Sequence, residues 1–205
     1  MSEKEDWWIT PSEHTWAKGL SFEDELQRIA ERISKSNTTK KRAYYSILLT
    51  QLVNGCRISE ACEAVFRWAE TGKPKVRVRV RKRSDEYLRL VVIPDAVLEE
   101  GRTVKRFLKR SFFNAHFINN MVHFTKYHLY NTHALRYAFI TKMSNEVSAQ
   151  LIAKMTGHAS LKHILHYTER VKAEQKLEDS VLEANTHLSL PKRIFREDKI
   201  GEIVS

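Results

Sequence analysis

Apolar side chains recur at helical spacing along most of the chain, and one short segment switches to strict alternation. Leu26, Ile29, Ala30 and Ile33 fall three and four residues apart behind Ser21-Phe-Glu-Asp, a cap followed by early acidic residues. This predicts a helix over about 21–34. Ser36-Asn-Thr-Thr39 interrupts the pattern, and Tyr44, Ile47, Leu48 and Leu52 then form a second stripe that Asn54-Gly55 ends. Ser59 stands where it would cap a third helix running to about Glu70. At Lys75-Val-Arg-Val-Arg-Val-Arg81 the period becomes two, with Val76, Val78 and Val80 on one face and basic side chains on the other. Lys82 to Glu86 is a polar turn and Tyr87 to Ile93 is β-rich, so 75–93 predicts a hairpin. Beyond Pro94 the pattern is helical again, over about 95–109, 111–124, 132–144, 146–156, 160–168 and 172–186. Trp7, Trp8 and Trp16 follow no period, and residues 187–205 are mixed and contain Pro191. The expected fold is mainly α with a small antiparallel β-sheet, an α+β class. It divides into an arm and helix over 1–38, a main domain over 39–186 and a tail over 187–205.

Composition narrows the partners. With 205 residues and 42% hydrophobic side chains, the chain can bury one sizeable core without disulfides. The 35 Lys and Arg against 25 Asp and Glu give a formal net charge of +10, which favours a polyanion such as nucleic acid or an anionic membrane surface. No apolar run approaches the roughly 18–20 residues that span a bilayer, and the N-terminus is acidic, unlike a secretory leader. An intracellular, cytoplasmic protein that does not engage a membrane is therefore expected. Cys56 and Cys62 match no common zinc spacing and are expected to be buried free thiols.

Several short groupings could carry chemistry. His133 and Arg136 lie on one face at the start of a helix, where an arginine fork and an imidazole can meet the same phosphate. Arg57 stands at the junction of two apolar helices, with Glu60 three residues on to orient it. Lys75, Arg77, Arg79 and Arg81 make a basic hairpin face suited to sequence-independent phosphate contact, with Lys82 at its tip. His158, His163 and His166 precede Tyr167, but no carboxylate or thiolate stands at ligand spacing beside His163 and His166, so no metal is expected.

The order of these groupings is more specific than any one of them. "LLTQLVNGCRISEA", "HALRYAFIT" and "MTGHASLKHILHYT" resemble the first arginine box, the His-x-x-Arg box and the Gly-His to Tyr segment of the tyrosine recombinase (phage-type integrase) catalytic domain, over roughly residues 40–170. The resemblance implies a metal-independent and cofactor-free enzyme that cleaves and rejoins double-stranded DNA through a covalent 3′-phosphotyrosyl intermediate. By position it makes Tyr167 the nucleophile and Arg57 and Arg136 the clamps on the non-bridging oxygens. His133 becomes an acid/base or phosphate-donating group, and His158 a phosphate donor. Lys82 becomes the general acid, with Lys73 and Lys75 as alternatives. Tyr137 stands where the family often has histidine. The residues before about 40 cannot build the helical core-binding domain that members usually carry, so a catalytic-domain-only member or a fragment is expected. Leu177, Val181, Ala184 and Leu188 form a stripe that either packs within the chain or docks on a neighbouring protomer, giving a homo-oligomer on DNA through 172–205. Other outcomes of the same resemblance are a non-catalytic or architectural DNA-binding protein and type IB topoisomerase-like nicking.

Overall fold

A computed structural model describes residues 20–80, 86–128, 132–162, 164–165 and 176–184. Its centre is the helix α2 (Thr39–Asn54), whose residues from Ala43 to Leu52 are all buried. A helix apolar on every side needs neighbours all round, and α1 (Phe22–Lys35), α3 (Ile58–Thr71), α5 (Gly101–Lys109) and α7 (Thr132–Ser144) supply them. Tyr44 anchors this packing, its ring meeting those of Phe107, Phe117 and Phe124 edge-on, with centroids 6.3, 5.6 and 5.0 Å away.

The expected caps at Ser21 and Gly55 are present. Ser21 Oγ accepts from the Asp24 N–H at 3.2 Å, and Gly55 ends α2 in the left-handed region at φ 56°. A β-carbon at Gly55 would collide with the Phe139 ring of α7, so this glycine also sets how closely α7 approaches the α2–α3 junction. Ser59 is not the cap of the third helix. Arg57 occupies the N-cap, and Glu60, one turn in, accepts the Arg57 backbone N–H at 3.1 Å. A carboxylate reaching back satisfies an orphan donor that the arginine side chain, which only donates, cannot.

β1 (Lys75–Arg79) and β2 (Leu88–Val92) form the expected antiparallel hairpin, in the register Val78 opposite Arg89. Val76, Val78 and Val80 face inward. The single helix expected over 95–109 is two: α4 (Asp95–Glu99) stops and α5 restarts at Gly101. Glu100 between them pairs with Arg42 near the start of α2, at 3.3 Å. The helix expected over 111–124 is α6 (Ala115–His128), because Asn114 Oδ1 accepts the Phe117 N–H and sets its start. The helix expected over 146–156 is α8 (Ala149–Thr156), capped by Ser148. Of the last two expected helices, residues 176–184 are helical and exposed throughout. Tyr167, His163, His166, Arg81, Lys82 and the 1–19 and 185–205 segments lie outside the described residues. No helix among the described residues is long and apolar enough to cross a membrane.

Candidate active site

Three segments far apart in sequence meet where α2 ends. The first is the α2–α3 junction, Asn54 to Glu60. Glu60 is 1% exposed and binds two arginines: Oε1 accepts from Arg57 Nη1 at 2.9 Å, and Oε2 accepts from Arg89 Nη1 at 3.4 Å. Arg57 keeps 18% of its side chain exposed. It is therefore held by a buried carboxylate while still facing outward, rather than snorkelling freely.

The second segment is the hairpin, which enters through Arg89 on its inward face. Arg89 Nη2 donates to the Asn54 carbonyl at 2.6 Å, and the Asn54 side chain pairs with both backbone groups of Val92, at 2.8 and 2.9 Å. The Asn54 amide thus covers part of the β2 backbone and welds the hairpin to the helix junction. Among the described residues, Arg89 Nε has no hydrogen-bond partner although it is buried. Lys75, Arg77 and Arg79 point outward as expected, but they share that face with Leu88, Leu90 and Val92, which are 49, 45 and 41% exposed.

The third segment is α7 with the turn after α8. Gln51 of α2 donates to the Thr132 carbonyl at 2.9 Å, fixing the first residue of α7. Arg136, one turn in, is 3% exposed and donates from Nη1 to the Gly55 carbonyl at 3.0 Å. His133, in contrast, is exposed, with its ring 6.5 Å from that of Tyr137. The two residues of the His-x-x-Arg box therefore differ in burial. Burial lowers the Arg136 guanidinium to about 10, and the nearby Arg57 pushes in the same direction. At neutral pH it stays charged. Burial also pushes the Cys56 thiol up to about 12, and both cysteines are buried thiols outside any disulfide, as expected.

Gly157 ends α8 at φ 70°, and a β-carbon there would meet Val80 at 2.8 Å. The turn therefore packs directly on the end of the hairpin and delivers His158 to Arg136, whose Nη2 lies 3.0 Å from both ring nitrogens. Thr156 fixes the ring. Its hydroxyl is 2.6 Å from the Ile152 carbonyl and 2.6 Å from His158 Nδ1. The carbonyl can only accept, so it takes the one hydroxyl proton, and the hydroxyl oxygen must accept from Nδ1–H. In the neutral ring Nε2 then carries the lone pair that faces Arg136, and His158 can donate to an anion through Nε2 only after gaining a second proton. Long-range nitrogen–proton NMR of the neutral ring should show the Nδ1–H tautomer in the wild-type protein and a shift towards Nε2–H in Thr156→Val. A wild-type ring already protonated at Nε2 would refute this assignment.

Around this junction, among the described residues, Arg57, Arg89 and Arg136 stand about one carboxylate, Glu60, three positive charges to one negative, an arrangement suited to an anion. Among the described residues no group of His, Cys, Asp and Glu could hold a metal ion. Sequence reasoning missed Arg89, Asn54 and Thr156.

A mainly helical domain with a two-stranded hairpin packed against such an arginine cluster has the architecture of a tyrosine recombinase catalytic domain. Solved structures agree at the level of fold. XerH site-specific recombinase in a post-cleavage complex with palindromic difH substrate superposes with a TM-score of 0.57 at 18% identity, over 82% of this chain and 54% of that one. XerA recombinase superposes with a TM-score of 0.55 at 23% identity, over 82% of this chain and 66% of that one. No protein-family model matches the chain. In sequence it is 31% identical over 168 residues to "Putative integrase ORF241" of Acidianus two-tailed virus, covering 80% of this chain and 68% of that protein. It is also 29% identical over 208 residues to "Uncharacterized protein MJ0770" of Methanocaldococcus jannaschii, covering 80% of this chain and 88% of that one. The chain belongs to the tyrosine recombinase (phage-type integrase) family.

Proposed function

We propose that this chain is a DNA strand transferase that cleaves and rejoins double-stranded DNA through a covalent 3′-phosphotyrosyl intermediate. The observation that carries the reading is the convergence of Arg57, Arg136 and His158 on one site with surplus positive charge. In the proposed reaction the Tyr167 hydroxyl oxygen attacks the scissile phosphorus. The bond to the 5′-oxygen breaks, and Lys82 supplies the proton that this oxygen takes. His133 receives the phenolic proton. Arg57 and Arg136 hold the non-bridging oxygens, doing with fixed guanidinium forks what a metal ion does elsewhere. His158 stands beside Arg136 to hydrogen-bond the same phosphate. The phosphoester energy stays in the tyrosyl link, so a 5′-hydroxyl can reverse the step on the same or another strand without a nucleotide cofactor.

Lys82 is favoured over Lys73 and Lys75 because Val80, two residues earlier, lies against Gly157 beside His158, whereas Lys75 begins the strand. The domain division proposed is 39–186 for the catalytic unit, with 1–38 and 187–205 as flanking segments. Leu177, Val181 and Leu182 are 67, 52 and 64% exposed. An exposed apolar stripe on an otherwise polar helix suits docking on a neighbouring protomer once DNA is bound.

Incubation with suicide duplexes drawn from related genomic DNA, in the presence of EDTA, tests the reading on a denaturing gel. A protein–DNA adduct is expected from the wild type and none from Tyr167→Phe. An adduct that persists in Tyr167→Phe, or no adduct from any duplex, would refute it.

A further inference from the structure

Away from the active site, Arg102, Lys105, Arg106, Lys109 and Arg110 line a single concavity of about 390 Å³ along α5. They stand at i, i+3, i+4, i+7 and i+8, so every neighbour on this stripe is a like charge, an arrangement that disfavours the helix. Among the described residues none of the five is in an ion pair that would offset it. The opposite side of α5 is firmly mounted, with Val104 and Leu108 buried, and on the stripe itself Lys105 Nζ lies 4.8 Å above the Trp68 ring.

The stripe is remote from the arginine cluster. Glu100, just before α5, pairs with Arg42 near the start of α2, and Trp68 is in the last turn of α3. The active site lies at the other ends of both helices. From Arg42 to Asn54 alone the separation along α2 is ~18 Å, at 1.5 Å per residue.

We infer that α5 carries a second polyanion-binding surface, which takes the phosphate backbone of a DNA duplex other than the one in the active site. Five cations spread over ~12 Å of helix exceed what one small anion can satisfy, and they match a run of successive phosphates. All five read charge alone, so the contact is independent of sequence. Such a surface would let one chain hold a second DNA segment close to the one it cleaves.

The test uses the full chain with donor-labelled and acceptor-labelled duplexes of arbitrary sequence, and the variant Arg102→Gln/Arg106→Gln/Lys109→Gln/Arg110→Gln. Lys105 is kept because it packs on Trp68, and circular dichroism with thermal melting checks the fold. The wild type should bring the two duplexes together by energy transfer. The variant should lose that signal at least fivefold and keep its yield of covalent adduct. No bridging by the wild type, or equal bridging by a folded variant, would overturn the inference. So would self-association without DNA that the variant abolishes, since the occupant would then be an acidic face of a second copy. Loss of adduct together with bridging would also overturn it, by placing α5 on the cleaved duplex. Bridging is read without cleavage, so failure of the proposed reaction would leave this result distinct.

Discussion

Arg136→Lys is expected to lower the rate of covalent adduct formation about a thousandfold, the scale of losing a preorganised donor to a developing oxyanion, while duplex affinity changes little. Binding rests on many cations, of which this is one. The proposed chemistry, in contrast, needs a planar fork that reaches the Gly55 carbonyl with one nitrogen and turns another towards His158. Lysine offers one charged nitrogen and must give up one of these contacts. The substitution also introduces a titration. The site that holds Arg136 at about 10 does so chiefly by burial, then by the Arg57 charge. A lysine there would be lowered by the same burial and the same neighbouring charge, and it starts from a lower value than arginine. The charged form is the one proposed to hold phosphate, so residual cleavage by the lysine variant should fall with rising pH at a lower pH than that of the wild type. The arginine remains charged to about 10 and should show no loss from this group below that pH. Single-turnover cleavage of a suicide duplex, measured against pH for both proteins with melting curves as folding controls, checks both parts. Equal rates, or parallel pH profiles, would remove Arg136 from the chemistry.

The contrast between Arg136 and Arg89 explains which parts of the site can be read from sequence. Arg57, Arg136 and His158 stand in short boxes whose order is informative before any contact is known. The local signals around them are equally direct: a Gly that ends α2, a Gly that ends α8, and alternating valines that turn one side of β1 inward. Arg89 has no such signal. In Leu88-Arg-Leu-Val-Val92 both faces carry apolar side chains, and alternation does not decide which of them is buried. Only the pairing of Val78 with Arg89 does, and that register is a long-range property. The result is contrary to hydrophobicity: Leu88 and Leu90 are outside while Arg89 is 4% exposed. The price of that inversion is met by Glu60 and the Asn54 carbonyl, which lie 29 and 35 residues away in sequence. Asn54 is similar. It reads as a helix stop, and its clamp on Val92 appears only once the hairpin is docked.

Helix boundaries slip for the same kind of reason. Periodicity carries through Glu100 without a break, yet the ion pair with Arg42 and the glycine that follows divide the segment into α4 and α5. Ser59 has the chemistry of a cap, but Glu60 reaches back to Arg57 and moves the start of α3 forward. That shift has a functional side. An N-cap residue has its backbone fixed by the helix it begins, so the same carboxylate that starts α3 also orients the Arg57 guanidinium.

Glu60 is therefore where folding and chemistry meet, and Glu60→Gln is expected to destabilise the protein by about 3–5 kcal/mol, the range for removing one partner of a buried ion pair. The change is nearly isosteric, so the loss is electrostatic rather than one of volume. The neutral amide offers one acceptor where the carboxylate presents two oxygens to three donors, Arg57 N, Arg57 Nη1 and Arg89 Nη1. Arg89 suffers most, because it is 4% exposed and its Nε already lacks a partner among the described residues. Arg57 can turn towards water, which limits its share of the loss and also takes it away from its proposed place on the phosphate. Cleavage should therefore fall even at temperatures where the variant is folded. A second substitution separates charge from packing. Arg89→Met in the Glu60→Gln background removes the stranded buried cation and should restore part of the lost stability, whereas unrelated core damage would simply add. Urea denaturation of the four proteins of this cycle measures the coupling. A Glu60→Gln protein within about 1 kcal/mol of wild type, or additive losses in the double variant, would show that the carboxylate does not hold the cluster together.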